Sequence, residues 1–332
     1  MLKVTVAIPV YNSAKQLEVA LDSLLHQTMP ATDFEVICVN DCSNDNSKEV
    51  IENYRQRMSN LILIDRTENS GGPSAPRNDA MEAAQGDYIH FMDSDDFLGE
   101  EALERLYRVA KKNGSDVIFG RHVGVNGRGV PTAMFKRGTR LKADIVKDNL
   151  VYTLAPHKMF RRAFIQDKGL RFHPEVKTAN EDQLFVMQCY ITAKVITILA
   201  DYDYYFVVAR GNENISAKTY PADKFFFVYY PIMEFMDDFI PNVSYRKEIK
   251  VAFLNRFFKE GRIRKTLVSP TLLLEKRQEW LHELKKFIDM HVGTDLINSL
   301  HPDIHLLIRI AKDMDVQKLA RLHYEKGIYI LK

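Results

Sequence analysis

The sequence predicts an α/β protein: a mostly parallel sheet with helices on both faces, followed by a helical carboxyl-terminal region. β-rich apolar runs alternate with helix-spaced segments from residue 3 to residue 93, an order that suits parallel strands joined by crossover helices. Polar residues collect just after the strand ends, where open α/β sheets take their ligands. After about Pro221 the pattern is helical almost to the end.

Residues 3–10 (KVTVAIPV) read as the first strand, and 12–27 space Leu17, Leu21, Leu24 and Leu25 as a helix after an Asn12/Ser13 cap. FEVICVN (34–40) is the second strand; it ends at Asp41, and the loop DCSNDNS opens a helix to about Met58. LILIDR (61–66) is a third strand, GGPSAPR (71–77) a loop, NDAMEAAQ (78–85) a helix and DYIHFMD (87–93) a fourth strand. A helix over about 100–113, the strand DVIFG and a Gly-rich stretch, GVNGRGVP (124–131), follow. TANEDQLFVMQCYITA (178–193) reads as a capped helix starting at Glu181 and Asp182, and DYDYYFVVAR (201–210) as an aromatic strand. A soft boundary falls near residue 220.

At 332 residues the chain is long enough for a core domain and a smaller added one. Its 46% hydrophobic and 27% charged residues are those of an ordinary globular protein, and a formal charge of +2 excludes a strongly basic nucleic-acid binder. Cys38, Cys42 and Cys189 are too few and too scattered for a disulfide framework or a four-ligand zinc site, which fits a reducing interior. His157, His173 and the other histidines do not group at ligand spacing. The start, MLKVTVAIPVYN, has no secretory pattern, and no run approaches the roughly 18 apolar residues of a membrane span. The expected place is cytoplasmic, with at most peripheral contact at the inner face of the plasma membrane.

HFMDSDDFLGE (90–100) sets Asp93, Asp95 and Asp96 side by side after a buried strand. Adjacent carboxylates repel, so they need a cation, strong donors or open water. An Asp-x-Asp here suits a hard divalent cation whose shell a nucleotide diphosphate completes, while a solvated turn capping the next helix uses the same residues. Tyr11, Asn12, Asp41 and Asn69 follow the other strands and would share the same rim. Arg77, ending a loop that lacks the Gly-Lys-Ser/Thr of a P-loop, offers paired donors to phosphate oxygens or pairs on the surface with Asp79 or Glu82. Glu181 and Asp182 are either stabilised at a helix start or placed to take a proton from an acceptor hydroxyl; spacing does not separate the two. RKEIKVAFLNRFFKEGRIRK (246–265) holds eight basic residues against two acidic ones, interleaved with Phe253, Leu254, Phe257 and Phe258. It is a solvated helix face or a track for a polyanion. The tail GIYILK makes Ile328, Ile330 and Leu331 a self-association contact or a strand tucked into its own domain.

VAIPVYNSAKQLEVALDSLLHQT, VNDCSNDNS, NSGGPSAPRN and FMDSDD, in that order and at these separations, resemble the amino-terminal half of the family 2 glycosyltransferases with the GT-A fold. GVNGRGVPTAMF, YTLAPHKMF, EDQLF and the Arg210 to Ser216 loop are similar, more narrowly, to the poly(ribitol phosphate) N-acetylglucosaminyltransferases that decorate wall teichoic acid. The match runs through about residue 220 and more weakly to the end. It implies a Rossmann-like GT-A catalytic domain over 1–220, with a nucleotide-sugar half to about 98 and an acceptor half from about 99, and a helical region over 221–332 for acceptor binding or oligomerisation.

The resemblance also implies roles. Pro9, Tyr11, Asp41, Asn69 and Arg77 match positions that hold the uridine and diphosphate of a UDP-sugar. Asp93, Ser94 and Asp95 match the Asp-x-Asp, with Asp95 the direct ligand of Mn2+ or Mg2+ and Asp93 beside it. Asp182 matches the catalytic base, with Glu181 next to it, and Arg210 and Ser216 match a loop that closes over the diphosphate. Asn214 departs from a histidine common in those relatives, which puts metal dependence or donor affinity in question. The implied reaction is an inverting, metal-dependent transfer of N-acetylglucosamine from UDP to a hydroxyl of an anionic polyol-phosphate polymer, giving a β-linkage. Tyr152, Arg256, Lys259 and Arg262 would meet the acceptor, and the carboxyl-terminal region would form a homotrimer. The rivals are a capsular or other cell-surface transferase using another UDP-hexose, a non-catalytic nucleotide- or glycan-binding protein, and a nucleotidyltransferase that would release pyrophosphate.

Overall fold

Short apolar runs with no polar face suit strands covered on both sides, and the first part of the chain builds such a sheet. The structure, a computed structural model, describes residues 2–176, 180–209, 221–259, 261–268 and 273–332. In chain order the first elements are β1 (Val4–Val10), α1 (Ala14–Leu25), β2 (Phe34–Asn40), α2 (Ser47–Arg55), β3 (Leu61–Asp65), α3 (Ser74–Ala83) and β4 (Tyr88–Phe91). β1 lies parallel between β2 and β4, and β3 pairs parallel with β2. Leu17, Ala20, Leu21 and Leu24 form the buried stripe of α1, at the spacing of one helical face.

Two local expectations change. Asn12 and Ser13 precede α1, but neither side chain caps it. Ser13 Oγ donates to the Tyr11 carbonyl (3.0 Å), and Asp45 reaches over from the loop after β2 to accept from Ala14 N (3.0 Å). α3 begins inside GGPSAPR, at Ser74, because a proline is tolerated in the first turn of a helix. Arg77 thereby moves from a surface loop to a buried helix face.

The chain continues through β5 (Phe97–Leu98), α4 (Ala102–Asn113), β6 (Val117–Val125), β7 (Met159–Arg161), α5 (Arg162–Asp167), α6 (Glu181–Thr192) and β8 (Ile196–Val208). The sheet order is β3-β2-β1-β4-β7-β6-β8-β5. β6 and β8 are parallel, but β4–β7, β6–β7 and β5–β8 are antiparallel, so the sheet is mixed, with its antiparallel part confined to the second half. Sequence periodicity reports that a strand is buried on both faces; it carries no direction.

Residues Met1–Ala217 and Lys218–Lys332 form two compact units. The second contains α7 (Ala222–Phe227), α8 (Tyr229–Phe239), α9 (Val243–Lys259), α10 (Gly261–Leu267), α11 (Leu274–His291), α12 (Thr294–Ser299), α13 (Pro302–Lys312), α14 (Val316–Ala320) and the hairpin β9 (Leu322–Glu325) and β10 (Ile328–Leu331). Phe253, Leu254, Phe257 and Phe258 are its core rather than a stacking track: each is fully buried, among Phe226, Tyr229 and Phe287. Among the described residues no helix is long and apolar enough to cross a membrane.

Candidate active site

β1 and β2 end level with one another, with Asp41 N donating to the Val10 carbonyl (2.8 Å), and β4 ends earlier, at Phe91 opposite Ala7, with Met92 N donating to the Ala7 carbonyl (3.1 Å). Asp93 therefore leaves the sheet beside the turns that follow β1 and β2. Its carboxylate sits between two side chains, with Arg77 Nη2 donating to Oδ1 (2.9 Å) and His157 Nε2 to Oδ2 (2.8 Å). Burial alone would raise Asp93, but His157 and Arg77 hold it well below the usual carboxylate range. Burial likewise opposes the His157 cation, and Asp93 overrides it and raises the ring's pKa.

The His157 ring stacks on Tyr205 of β8, with centroids 4.4 Å apart and planes 8° from parallel. Tyr205 donates its hydroxyl to Asp96 (2.9 Å) and accepts from Asp93 N (3.0 Å). Burial, with His157 opposing, pushes Asp96 up to about 7. Asp93, Asp96 and His157 bring one ligand atom each within 4.8 Å of the others, although 64 residues separate Asp93 from His157. That histidine escaped the sequence analysis because no spacing rule spans such a gap. His157 and Asp93 already share a proton, and Asp96 receives both Tyr205 and the Val208 N–H, so the trio is a hydrogen-bonded network. The half-buried Asp95 and the remaining lone pairs of Asp93 are the oxygens that could hold a hard divalent cation, since a carboxylate offers about four acceptor sites. Ser94 is buried, with its Oγ donating to Ser13 Oγ (2.9 Å), which ties the acidic turn to the start of α1.

Arg77 is placed differently from expectation. It is 3% exposed and bridges two carboxylates, with Nη1 on Glu181 (2.8 Å) and Nη2 on Asp93. Its guanidinium lies 5.3 Å from the Phe172 ring centroid. The surface pairings considered for it are taken by other residues, Arg66 with Asp79 and Arg171 with Glu82. Planar paired donors match two separate carboxylates well, and burial strengthens both bonds. The bridge ties the first turn of α6 to the end of β4.

This separates the two acidic residues that spacing left equivalent. Glu181 turns inward and is 5% exposed; burial raises its pKa while Arg77 pulls it down. It is a partner of Arg77 and not itself open to an acceptor. Asp182, next along α6, is half-buried on the rim. Phe185 anchors the helix, stacked on Phe172 at 4.1 Å and edge-on to Phe91 and Phe160.

Asp41 also faces inward. It is 3% exposed and accepts from Ser70 N (3.1 Å), Ser70 Oγ (2.8 Å) and Asn69 Nδ2 (3.2 Å), with Arg66 Nε 3.0 Å away. Asn69 Oδ1 accepts from Gly71 N (2.9 Å), where φ of +83° suits glycine. Asp41 and Asn69 thus shape the loop after β3 from below. Pro9 is half-buried near the end of β1 and Tyr11 is 46% exposed just beyond it, open to a ligand. Tyr152 is 42% exposed on a short 3-10 turn (Leu150–Tyr152), whose following residue Thr153 accepts from Tyr190 of α6 (2.9 Å). Arg210, Asn214 and Ser216 lie outside the described residues.

A model of glycosyl transferase family 2 matches residues 5–169. The poly(ribitol-phosphate) β-N-acetylglucosaminyltransferase TarP of Staphylococcus aureus is 33% identical over 296 residues, covering 87% of this chain and 89% of TarP. The chain belongs to glycosyl transferase family 2. A poly(ribitol-phosphate) β-glucosyltransferase of Bacillus spizizenii is 38% identical over 325 residues, 98% of this chain and 51% of that protein. The chain thus spans about half the length of the Bacillus relative. Among solved structures, S. aureus TarS 1-349 in complex with UDP-GlcNAc superposes with a TM-score of 0.89 at 32% identity, covering 100% of this chain and 97% of that one. The fold of this family 2 glycosyltransferase is therefore GT-A, with a helical carboxyl-terminal region.

The basic residues expected to track an anionic acceptor belong to the second unit. Lys259 of α9 lies 3.2 Å from Asp303, and its neighbours on the helix, Lys247 and Lys250, pair with Asp295 (2.7 Å) and Asp237 (2.6 Å). Arg256 is half-buried on α9, and Arg262 is on α10. Asp237, Asp295 and Asp303 thus pair with cations of this segment from outside it, which a local count does not register.

Proposed function

We propose that this family 2 glycosyltransferase moves a hexosyl group from a UDP-sugar to a hydroxyl of poly(ribitol phosphate), with inversion to a β-linkage. The observation that carries the reading is the Arg77 bridge, because it sets Asp182 at the start of α6 next to the acidic turn that ends β4. Asp182 acts as general base: it takes the acceptor hydroxyl's proton as that oxygen attacks the anomeric carbon and the bond to UDP breaks on the opposite face. Tyr11 and Pro9 meet the nucleotide, and Asp41 and Asn69 hold the loop beside it. Asp95, with Asp93, holds Mn2+ or Mg2+. When bound, the ion neutralises charge on the departing diphosphate. Tyr152 faces the acceptor polyol.

N-acetylglucosamine is the donor sugar we assign, in line with the S. aureus relatives. Glucose is the second reading, favoured by the printed activity of the Bacillus relative. The test is UDP release from UDP-N-acetylglucosamine and from UDP-glucose, with and without poly(ribitol phosphate), in Mn2+ or Mg2+ and after chelation. Release that needs polymer and metal and prefers one sugar is expected; release indifferent to polymer from both sugars would remove the acceptor assignment.

Arg256, Lys259 and Arg262 are assigned to the polymer's phosphates. Neutralising all three is expected to weaken polymer use by about tenfold or more while UDP-sugar hydrolysis stays near wild type; equal loss of both would exclude the role. Free thiols at Cys38, Cys42 and Cys189 fit a cytoplasmic enzyme that meets the membrane only peripherally, through a lipid-linked acceptor. We assign a homotrimer, supported by Ile328 and Leu331 of β10, which remain 41% and 40% exposed. Sedimentation equilibrium reads this directly, and a monomer at assay concentration would rule it out.

A further inference from the structure

β1 and β2 leave the sheet in register, with Val10 opposite Asn40, and both bend the same way two residues later: φ is +49° at Asn12 and +57° at Cys42. Few side chains tolerate that left-handed region, and asparagine is one that does. Only Tyr11, Asn12 and Ser13 separate β1 from α1. The segment after β2 grips this short connection. Asn12 N donates to Ser43 Oγ (3.0 Å), Ser13 N to Ser47 Oγ (2.9 Å) and Ala14 N to Asp45 Oδ2 (3.0 Å), so successive N–H groups end on side chains of residues 43–47. One bond runs the other way, from Asn44 N to Asn12 Oδ1 (2.7 Å).

Asn12 thus holds the neighbouring loop by its backbone and its side chain at once, through the adjacent residues Ser43 and Asn44. Ser13 completes the hold on Tyr11: its Oγ donates to the Tyr11 carbonyl (3.0 Å) and accepts from Ser94 Oγ of the acidic turn (2.9 Å). The Tyr11 backbone is fixed on its carboxyl side while the residue stays 46% exposed. A ring presented by an ordered loop meets its ligand without the entropy cost of ordering that loop during association.

We propose that Asn12 is a positioning residue for the nucleotide: its left-handed turn and its bonds to Ser43 and Asn44 hold Tyr11 at the rim where UDP arrives. The inference rests on the reading of Tyr11 as a nucleotide contact. Asn12 itself need not touch the ligand. Cutting the latch leaves the ring in place chemically but lets the connection between β1 and α1 sample other conformations, so the loss falls on donor binding more than on the transfer step.

The experiment is calorimetric titration of the full chain with UDP, together with KM for the UDP-sugar and kcat, for wild type, Asn12→Gly, Ser43→Ala, Tyr11→Ala and the Tyr11→Ala/Asn12→Gly double variant, with a urea melt of each. Asn12→Gly keeps the positive φ and removes Oδ1; Ser43→Ala removes the acceptor of Asn12 N and leaves the turn alone. In Asn12→Gly the Kd for UDP and the KM are expected to rise about fivefold to tenfold, the size of one or two lost hydrogen bonds, while kcat falls by a smaller factor. Ser43→Ala should weaken UDP in the same direction. With Tyr11 already alanine, Asn12→Gly should add almost nothing, since no ring is left to hold. Additive losses in the double variant overturn the proposal, because they place the effect of Asn12 somewhere other than Tyr11. Wild-type UDP affinity in Asn12→Gly, with Tyr11→Ala impaired, overturns the role of Asn12 alone. Wild-type affinity in Tyr11→Ala overturns the nucleotide contact and this inference with it. Should Asn12→Gly fail to fold, Ser43→Ala decides: weakened UDP binding supports the latch, and unchanged binding overturns it.

Discussion

Asp182→Asn is expected to lower polymer-dependent UDP release by about 10²- to 10⁴-fold, the range a positioned general base contributes, while UDP-sugar affinity stays close to wild type. The asparagine keeps the size and the place at the first turn of α6 but cannot take a proton. Glu181 stands one residue away, yet it does not substitute, since it is buried and bonded to Arg77. Glu181→Gln should therefore behave differently. It retains an acceptor for Arg77 and a neutral side chain in a place where burial already raises the carboxyl's pKa, so its effect on rate is expected to be well under that of Asp182→Asn. Steady-state kcat for both variants, with titration of UDP binding, distinguishes them. Equal losses would mean that the two carboxylates act as one unit and that assigning the base to Asp182 is mistaken.

Arg77→Met is expected to destabilise the first unit by about 3–5 kcal/mol, the cost of leaving a buried charge without its partner. The substitution strands Glu181, leaves Asp93 with His157 alone, and unlatches the start of α6 from the end of β4. Arg77→Lys should recover only part of the loss, because one ammonium cannot reproduce a planar fork reaching two carboxylates. Adding Glu181→Gln to Arg77→Met removes the stranded acid and is expected to restore some stability. Urea midpoints of the three variants and the wild type measure this. An Arg77→Met midpoint matching wild type would show that the aromatic packing of Phe185 against Phe172 and Phe91 holds α6 unaided.

The features legible in the sequence were those written within a few residues of one another. β1, β2, β3 and β4 stand where the apolar runs predict, and the polar residues after them share a rim because parallel strands end at one side of a sheet. The Asp-x-Asp turn and the acidic helix start were equally visible. Strand direction in the second half was not, since β7 runs antiparallel to both β4 and β6 with nothing in its three residues to say so. The basic segment over 246–265 misled in the other direction: its aromatic residues are core, and several of its cations have partners in α8, α12 and α13.

The sequence by itself determined the fold class, the family and the set of acidic residues from which the chemistry is drawn, because periods of two and 3.6 residues and short motifs are local properties of the chain. Tertiary structure alone decided what each residue does. Arg77 meets Glu181 across 104 residues of sequence and Asp93 meets His157 across 64, so packing turns Arg77, Asp41 and Glu181 inward and leaves Asp182 on the rim. The physical reason is that a buried charge takes whichever partner the fold brings within hydrogen-bond distance, and such meetings are set by how helices and strands pack, not by the spacing of residues along the chain.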